Sequence, residues 1–125
     1  MMNYFLVGLG AAFGGSLRYW VSNLTFKFFT ENFPYGTLVV NVLGSFILGL
    51  LMFYFNDKEL LGPELRLFLA VGFCGGFTTF STFSYETIVL LRETQYVLGF
   101  LNIALNILLC LAGVFLAYLL TKLIG

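Results

Sequence analysis

The sequence predicts an all-α integral membrane protein with four transmembrane helices, the third of which is broken in its middle. Three observations lead to this prediction: a strongly apolar composition, four apolar blocks, and a run of glycine and hydroxyl residues inside the third block. Of the 125 residues, 60% are hydrophobic and only 10% are charged, whereas a soluble domain carries about 25% charged residues. A chain this short has too little polar material to cover a soluble surface.

The four apolar blocks form a single transmembrane domain that covers residues 1–125. Short charged or turn-rich segments separate them, at Phe33–Gly36, Asn56–Glu59 and Arg92–Thr94. Each block can cross a hydrocarbon core of about 30 Å, which takes about 20 residues, and contact with lipid requires each to be helical. The first block lacks the basic start of a signal peptide and is expected to be retained. The predicted spans are about 4–26, 36–55, 64–91 and 96–120.

The third block contains a segment that is a poor continuous membrane helix. Gly75 and Gly76 are followed by five hydroxyl residues within Thr78–Ser84, and both residue types disfavour a helix interior. We expect a break near Gly75–Thr79, whose freed carbonyls could hold an ion where protein or water covers them. The alternative is an intact helix in which the hydroxyls bond back to the preceding turn.

Charge and residue types exclude several functions. The net charge is zero and there is no histidine, which argues against nucleic-acid binding and removes the commonest general base and metal ligand. Cys74 and Cys110 lie in apolar stretches, where we expect buried thiols rather than a disulfide, and two cysteines at this spacing make no zinc site. Without an acid–base pair in a shared pocket, the chain is predicted not to be an enzyme.

Small and polar residues form stripes at helical spacing on the first, second and fourth blocks, and we expect them to be packing surfaces. The stripes are Gly8, Ala11, Gly15, Arg18 and Ser22; Thr37, Asn41, Gly44, Ser45 and Gly49; and Gly99, Asn102, Asn106, Cys110, Gly113 and Ala117. The pairs Gly10/Gly14 and Gly72/Gly76 are also GxxxG patterns, a weaker signal.

Three asparagines near the middle of their spans need more than packing to explain them. A buried primary amide is costly unless it is bonded, so Asn41, Asn102 and Asn106 either join helices or line a polar path. Such a path would offer neutral amide and hydroxyl donors and no acidic ring, which suits an anion. Phe80 and Phe83 are three residues apart, and their positive ring edges could also contact an anion, although core packing is the alternative.

Two charged residues inside the blocks leave alternatives open. Arg18 lies about 12 Å inside the end of the first helix at 1.5 Å per residue, and it could snorkel or line an anion vestibule. Glu86 could pair with Arg18 or accept hydrogen bonds from neighbouring hydroxyls.

Basic residues are shared almost equally between the two ends of a four-span bundle. One end carries Lys58, Arg66 and Lys122, and the other carries Lys27 and Arg92, with Arg18 as a possible third. The positive-inside rule therefore gives almost no orientation. A chain without a preferred orientation can insert both ways and pair as an antiparallel dimer, unless a weaker signal orients it.

Three stretches of the sequence resemble the signatures of the Fluc (CrcB-type) fluoride ion channel family: Gly14–Tyr19, Gly36–Phe46 and Gly75–Ser84. They occur in the expected order, one on each of the first three helices, and the resemblance covers the whole chain. It implies a multi-pass protein of the bacterial inner membrane that forms an antiparallel dual-topology homodimer with two pores. It further implies a passive, fluoride-selective channel that exports fluoride from the cytoplasm and lowers its intracellular level.

The resemblance also assigns residues. Asn41, Phe80 and Phe83 match the pore asparagine and the fluoride-contacting aromatics, and Ser81 and Thr82 match the polar track.

By the same resemblance, Gly75 and Thr78 match a break whose backbone carbonyls, from both subunits, hold a central structural sodium ion. That ion would lend positive potential to neutral pores. The fourth helix departs from the family pattern, because it carries Asn102, Asn106 and Cys110 where many members have a tyrosine and serines. Asn106 can still donate to an anion, whereas Cys110 is a weaker donor.

Two other functions compete with a channel. A small multidrug transporter also has four helices and dual topology, but such proteins have a membrane glutamate on the first helix, and Met1–Phe29 contains no acid. A non-transporting assembly subunit would use the stripes only to join helices, which would leave the hydroxyl run unexplained.

Overall fold

The computed structural model describes all 125 residues, which form helices joined by short turns, with no strand. Helix α1 covers Met2–Thr25. Helix α2 covers Tyr35–Leu50 and continues through the wider π-helical turn Leu51–Asn56. Helix α3 comprises Pro63–Arg66, the π-helical Leu67–Cys74 and Gly75–Phe77. Helix α4 covers Phe80–Arg92, and α5 covers Tyr96–Ile124. The all-α prediction is confirmed.

Three helical segments are long and apolar enough to cross a bilayer: Tyr35–Asn56, Pro63–Arg92 and Tyr96–Ile124. Helix α1 has 24 residues and is about 36 Å long at 1.5 Å per residue. Glycines, Ser16 and Arg18 make it the least apolar of the long helices. Three spans follow from length and composition, and the crossing by α1 remains a prediction.

The chain breaks between α3 and α4, at Thr78 and Thr79. Thr78 has φ −91° and ψ 160°, and Thr79 has φ −153° and ψ 114°, so both are extended. The expected break is therefore present but narrower than Gly75–Thr79, because both glycines are helical. Low helix propensity at Gly75 and Gly76 did not by itself end the helix.

Helix α1 lies against α3 through two interlocking glycine pairs. A Cβ added at Gly10 would lie 2.2 Å from the Phe68 carbonyl oxygen, and one at Gly14 would lie 2.1 Å from that of Phe73. Gly72 and Gly76 approach the backbone of α1 as closely, with added Cβ atoms 2.6 Å and 2.7 Å from carbonyl oxygens. These contacts let two backbones meet, which is how small residues drive helix association in membranes.

Only part of the stripe predicted on α1 packs within the chain. Gly8 and Gly15, on the stripe assigned to packing, have no atom within 4 Å of an added Cβ. Ala11 and Ser22 of the same stripe do contact other helices, since added Cβ atoms at Gly76 and Gly36 would lie 2.7 Å and 3.1 Å from them. Within one chain, the closest backbone contacts of α1 are therefore made by the GxxxG glycines.

Helix α2 packs against α5 and against the break, as its small stripe predicted. An added Cβ at Gly49 would lie 2.7 Å from the Cβ of Ala117, and one at Gly113 would lie 3.3 Å from the Val42 carbonyl oxygen. At Gly44 the nearest atom would be Thr78 Cγ2, at 2.2 Å. The absence of a side chain at Gly44 thus lets the extended turn lie directly on α2.

Candidate functional site

A cavity of about 450 Å³ lies between α2, the break and α5. Its wall brings together polar residues and aromatic rings from segments distant in the sequence. The wall consists of Asn41, Gly44, Ser45, Leu48, Ala70, Cys74, Gly75, Thr78, Thr79, Phe80, Phe83, Asn106, Ile107, Cys110 and Leu111. None of these side chains is a carboxylate or an ammonium, so the polar part of the wall is neutral.

Asn41 on α2 holds the extended backbone of the break. Its Nδ2 donates to the Thr79 carbonyl oxygen at 3.2 Å, and its Oδ1 accepts from the Thr79 amide at 2.8 Å. This pairing satisfies a peptide group that has left the helix, which an apolar environment requires. In a continuous helix, the Thr79 amide would instead have bonded the Gly75 carbonyl.

Thr79 also begins α4 as its N-cap. Its Oγ1 accepts from the Thr82 amide at 3.1 Å and donates to Thr82 Oγ1 at 3.0 Å, while Ser81 Oγ lies 3.3 Å away. The predicted polar-track residues Ser81 and Thr82 therefore belong to this hydroxyl cluster and do not line the cavity. The sequence analysis named Thr79 only as the end of the break, although threonine at a helix start is a common N-cap residue.

Phe80 and Phe83, the two predicted anion-contacting aromatics, both lie on the cavity wall. Their ring centroids are 5.2 Å apart and their planes are inclined by 56°. Phe83 is buried, with 7% of its surface exposed, whereas Phe80 is 77% exposed. The Phe83 ring is thus packed within the chain, whereas the Phe80 ring lies at the open side of the cavity.

Arg18 lies at the break. Its Nε donates to the Gly76 carbonyl oxygen at 2.9 Å, one of the carbonyls left without a helical partner at the end of α3. A cation at a helix C-terminus is also favoured by the helix dipole. Of the two kinds of partner considered for Glu86, Arg18 is directed to Gly76, whereas the Thr37 hydroxyl forms a side-chain hydrogen bond with the Glu86 carboxyl group. Glu86 Oε1 itself is buried without a partner.

The three membrane asparagines are bonded to one another. Asn41 Nδ2 donates to Asn106 Oδ1 at 3.1 Å, and Asn106 Nδ2 donates to Asn102 Oδ1 at 3.0 Å and to the Asn102 carbonyl at 2.9 Å. Asn102 Nδ2 in turn donates to Thr87 Oγ1 at 2.9 Å. Asn41 and Asn106 reach the cavity, whereas Asn102 and Thr87 lie behind its wall. Thr87 was not singled out from the sequence.

Gly75 and Thr78, the residues matched to a cation site, also line the cavity. Nothing in the chain lies within 4 Å of an added Cβ at Gly75, which is exposed. In a continuous helix the Thr79 amide would bond the Gly75 carbonyl, but here it donates to Asn41 Oδ1. The Thr82 amide, which would bond the Thr78 carbonyl, donates to Thr79 Oγ1 instead. Two backbone carbonyls close together in sequence are therefore free to coordinate a hard cation.

The two cysteines are free, as expected, but only Cys74 is buried. Cys110 is partly exposed, and both thiols lie on the cavity wall. No group of three or more histidine, cysteine or acidic side chains could hold a metal ion, so a cation here would depend on backbone oxygens.

Comparison with known proteins identifies the family. Residues 5–118 match the family model described as CrcB-like protein, Camphor Resistance (CrcB). The chain belongs to the CrcB family. A Campylobacter jejuni relative (serotype O:23/36, strain 81-176) named fluoride-specific ion channel FluC is 49% identical over 98% of this chain and 100% of its own length.

Two more CrcB family members carry the same name. One, from Sulfurihydrogenibium sp. YO3AOP1, is 44% identical over 99% of this chain and 100% of its own length. The other, from Clostridium novyi strain NT, is 45% identical over 95% of this chain and 93% of its own length. The predicted family and the prediction that the chain is not an enzyme are confirmed. With several helices apolar enough to span a bilayer, the chain is a multi-pass bacterial membrane protein.

Proposed function

We propose that this chain is a fluoride-selective passive channel that exports fluoride from the cytoplasm and lowers its intracellular level. The observation that carries the proposal is the cavity between α2, the break and α5. Its wall combines neutral polar groups with two inclined phenylalanine rings and holds no carboxylate. Such a wall disfavours cations and offers ring edges to a small anion. The name of the relatives supports fluoride as that anion.

The function is tested by fluoride efflux from liposomes that contain the purified protein. We expect rapid release of fluoride and little release of chloride under the same gradient. Equal release of both anions would contradict selectivity, and no release of either would contradict the channel proposal.

The chain acts as a four-span, dual-topology antiparallel homodimer with two pores. The open side of the cavity supports this proposal, because Phe80 and Gly75 are exposed although both lie on its wall. A second copy would supply the missing wall. The even distribution of basic residues allows opposite insertion.

Dual topology predicts that a reporter fused to the C-terminus will be found on both sides of the membrane. Adding three lysines at that end should bias insertion by the positive-inside rule and lower activity when this variant is expressed alone. A reporter that reads one side exclusively in the otherwise unmodified protein would contradict dual topology.

A structural sodium ion is bound at the dimer centre by the backbone carbonyls of Gly75 and Thr78. The carbonyls freed at the break supply the oxygen ligands that a hard cation prefers. The ion would add a fixed positive charge near two neutral pores and so favour anions there.

Because the ligands are backbone atoms, Thr78→Val should preserve sodium dependence better than Gly75→Val. A Cβ added at position 75 meets no atom of the same chain within 4 Å, so we expect the loss to come from the space that an ion or a second copy occupies. The measurement is fluoride flux and thermal stability after dialysis from sodium into a large organic cation. Indifference of the unmodified protein to this exchange would contradict a structural ion.

A further inference from the structure

Side-chain hydrogen bonds on and behind the cavity wall form one continuous network, which joins the N-cap of α4 to the first turn of that helix. At one end, Thr87 Oγ1 donates to the Phe83 carbonyl oxygen at 2.8 Å and accepts from Asn102 Nδ2 at 2.9 Å. Asn102 Oδ1 then accepts from Asn106 Nδ2 at 3.0 Å. This end of the hydrogen-bond network is therefore attached to the backbone of Phe83, whose ring is buried.

At the other end, the same chain of bonds reaches the N-cap of α4. Asn106 Oδ1 accepts from Asn41 Nδ2 at 3.1 Å, and Asn41 holds Thr79 by both its amide and its carbonyl. Thr79 and Phe83 therefore bracket the turn that carries both phenylalanines, and three amides on two other helices connect them.

Each side-chain amide in this hydrogen-bond network has only one orientation that satisfies its partners. Asn41 Nδ2 and Asn106 Nδ2 each donate to two acceptors, and each amide oxygen accepts a bond from its neighbour. Rotating any one amide would place two donors or two acceptors face to face. Burial strengthens this constraint, because Asn102 is 1% exposed and Asn106 and Thr87 are each 5% exposed.

We infer that Thr87, Asn102 and Asn106 are positioning residues that hold the Phe80–Phe83 turn at the geometry that anion passage requires. The inference rests on the proposed channel function. Asn106 acts through Asn41 rather than by donating to the anion, because its Nδ2 already donates to two acceptors on Asn102. Asn102 and Thr87 are buried and do not line the cavity, so we assign their effect on anion passage to this network.

Thr87→Val tests the inference, because valine keeps the shape of threonine and leaves the Asn102 amide without its acceptor. We expect fluoride flux per folded protein to fall about fivefold or more. Hydrogen exchange in the peptide covering residues 79–83 should accelerate by a similar factor. Thr87→Ser retains the hydroxyl and should restore both.

The matched control is Thr25→Val. Thr25 is 7% exposed and its Oγ1 also donates to the carbonyl four residues earlier, but it lies outside the network. It should change neither flux nor exchange at residues 79–83. An equal response of the Thr25→Val and Thr87→Val proteins would overturn the inference.

A double variant and the exchange measurement on the unmodified protein cover the cases in which Thr87→Val does not fold or no fluoride is carried. If Thr87→Val fails to fold, the Thr87→Val/Asn102→Leu protein removes both side chains of the Thr87–Asn102 bond, which is better tolerated than leaving one unpaired. Asn106 Nδ2 then keeps the backbone carbonyl of residue 102 as an acceptor, yet the turn is still disconnected. We expect it to fold and to show the flux and exchange defects; normal values would overturn the inference. If the unmodified protein carries no fluoride, the function proposal fails, while exchange at residues 79–83 still decides whether these residues position the turn.

Discussion

Replacing Phe80 with isoleucine should reduce fluoride flux by about tenfold or more, which corresponds to roughly 1.4 kcal/mol in the barrier, while the protein still folds. Phe80 is 77% exposed on the cavity side, so its ring contributes little packing within the chain. Isoleucine keeps an apolar side chain but removes the positive ring edge. The measurement is fluoride flux per correctly folded protein in liposomes.

Phe83→Ile should lower flux by a similar factor, with an added loss of stability of about 1 kcal/mol because this ring is buried. The matched controls are Phe77→Ile, for a buried ring off the cavity wall, and Phe100→Ile, for a ring that is 63% exposed on α5. Both controls should retain near-normal flux.

The controls distinguish anion contact from core packing. Near-normal flux in both the Phe80→Ile and Phe83→Ile proteins would return the two rings to a packing role. A flux loss in the Phe77→Ile protein equal to that at Phe83 would mean that ring burial at the break, and not contact with the anion, limits passage.

Gly14→Ala should destabilise the protein by about 2 kcal/mol, the usual cost of overpacking a tight contact. The new Cβ would lie 2.1 Å from the Phe73 carbonyl oxygen and 2.9 Å from the Phe77 amide nitrogen. Because both are backbone atoms, only separation of α1 from α3 can relieve the clash. Thermal unfolding in detergent measures the loss.

Gly15→Ala is the control for this change. It has the same gain in helix propensity, up to about 1 kcal/mol, but no atom lies within 4 Å of the added Cβ. It should be neutral or slightly stabilising. Equal destabilisation by both substitutions would show that the Gly14 contact with α3 does not hold the helices together.

The sequence alone determined the class of protein and the position of its irregular segment. Apolar blocks of this length are helical in a membrane because no other local structure satisfies the backbone in lipid. The segment Gly75–Ser84 combined low helix propensity with side chains able to replace backbone bonds, so a break could be expected there. The motifs were specific enough to indicate the family, and the family match confirms it.

Other features depended on contacts between segments far apart in sequence. The break comprises only Thr78 and Thr79, fewer residues than the sequence predicted. Asn41, on another helix, hydrogen-bonds the amide and carbonyl of Thr79 at this position. From the sequence, the membrane asparagines fitted either a polar path or helix association. Only their relative positions in the structure showed that their side-chain amides hydrogen-bond one another.

The face of α1 that packs also depended on tertiary structure. Two small-residue patterns lie on α1, and a membrane helix has no polar face to show which side is buried, because lipid is as apolar as the protein interior. The decision came from backbone complementarity, since Gly10 and Gly14 meet Gly72 and Gly76 across the contact. Composition and local propensity thus determined that the chain forms membrane helices and where one of them breaks. The close approach of backbones distant in sequence decided which faces of those helices pack together.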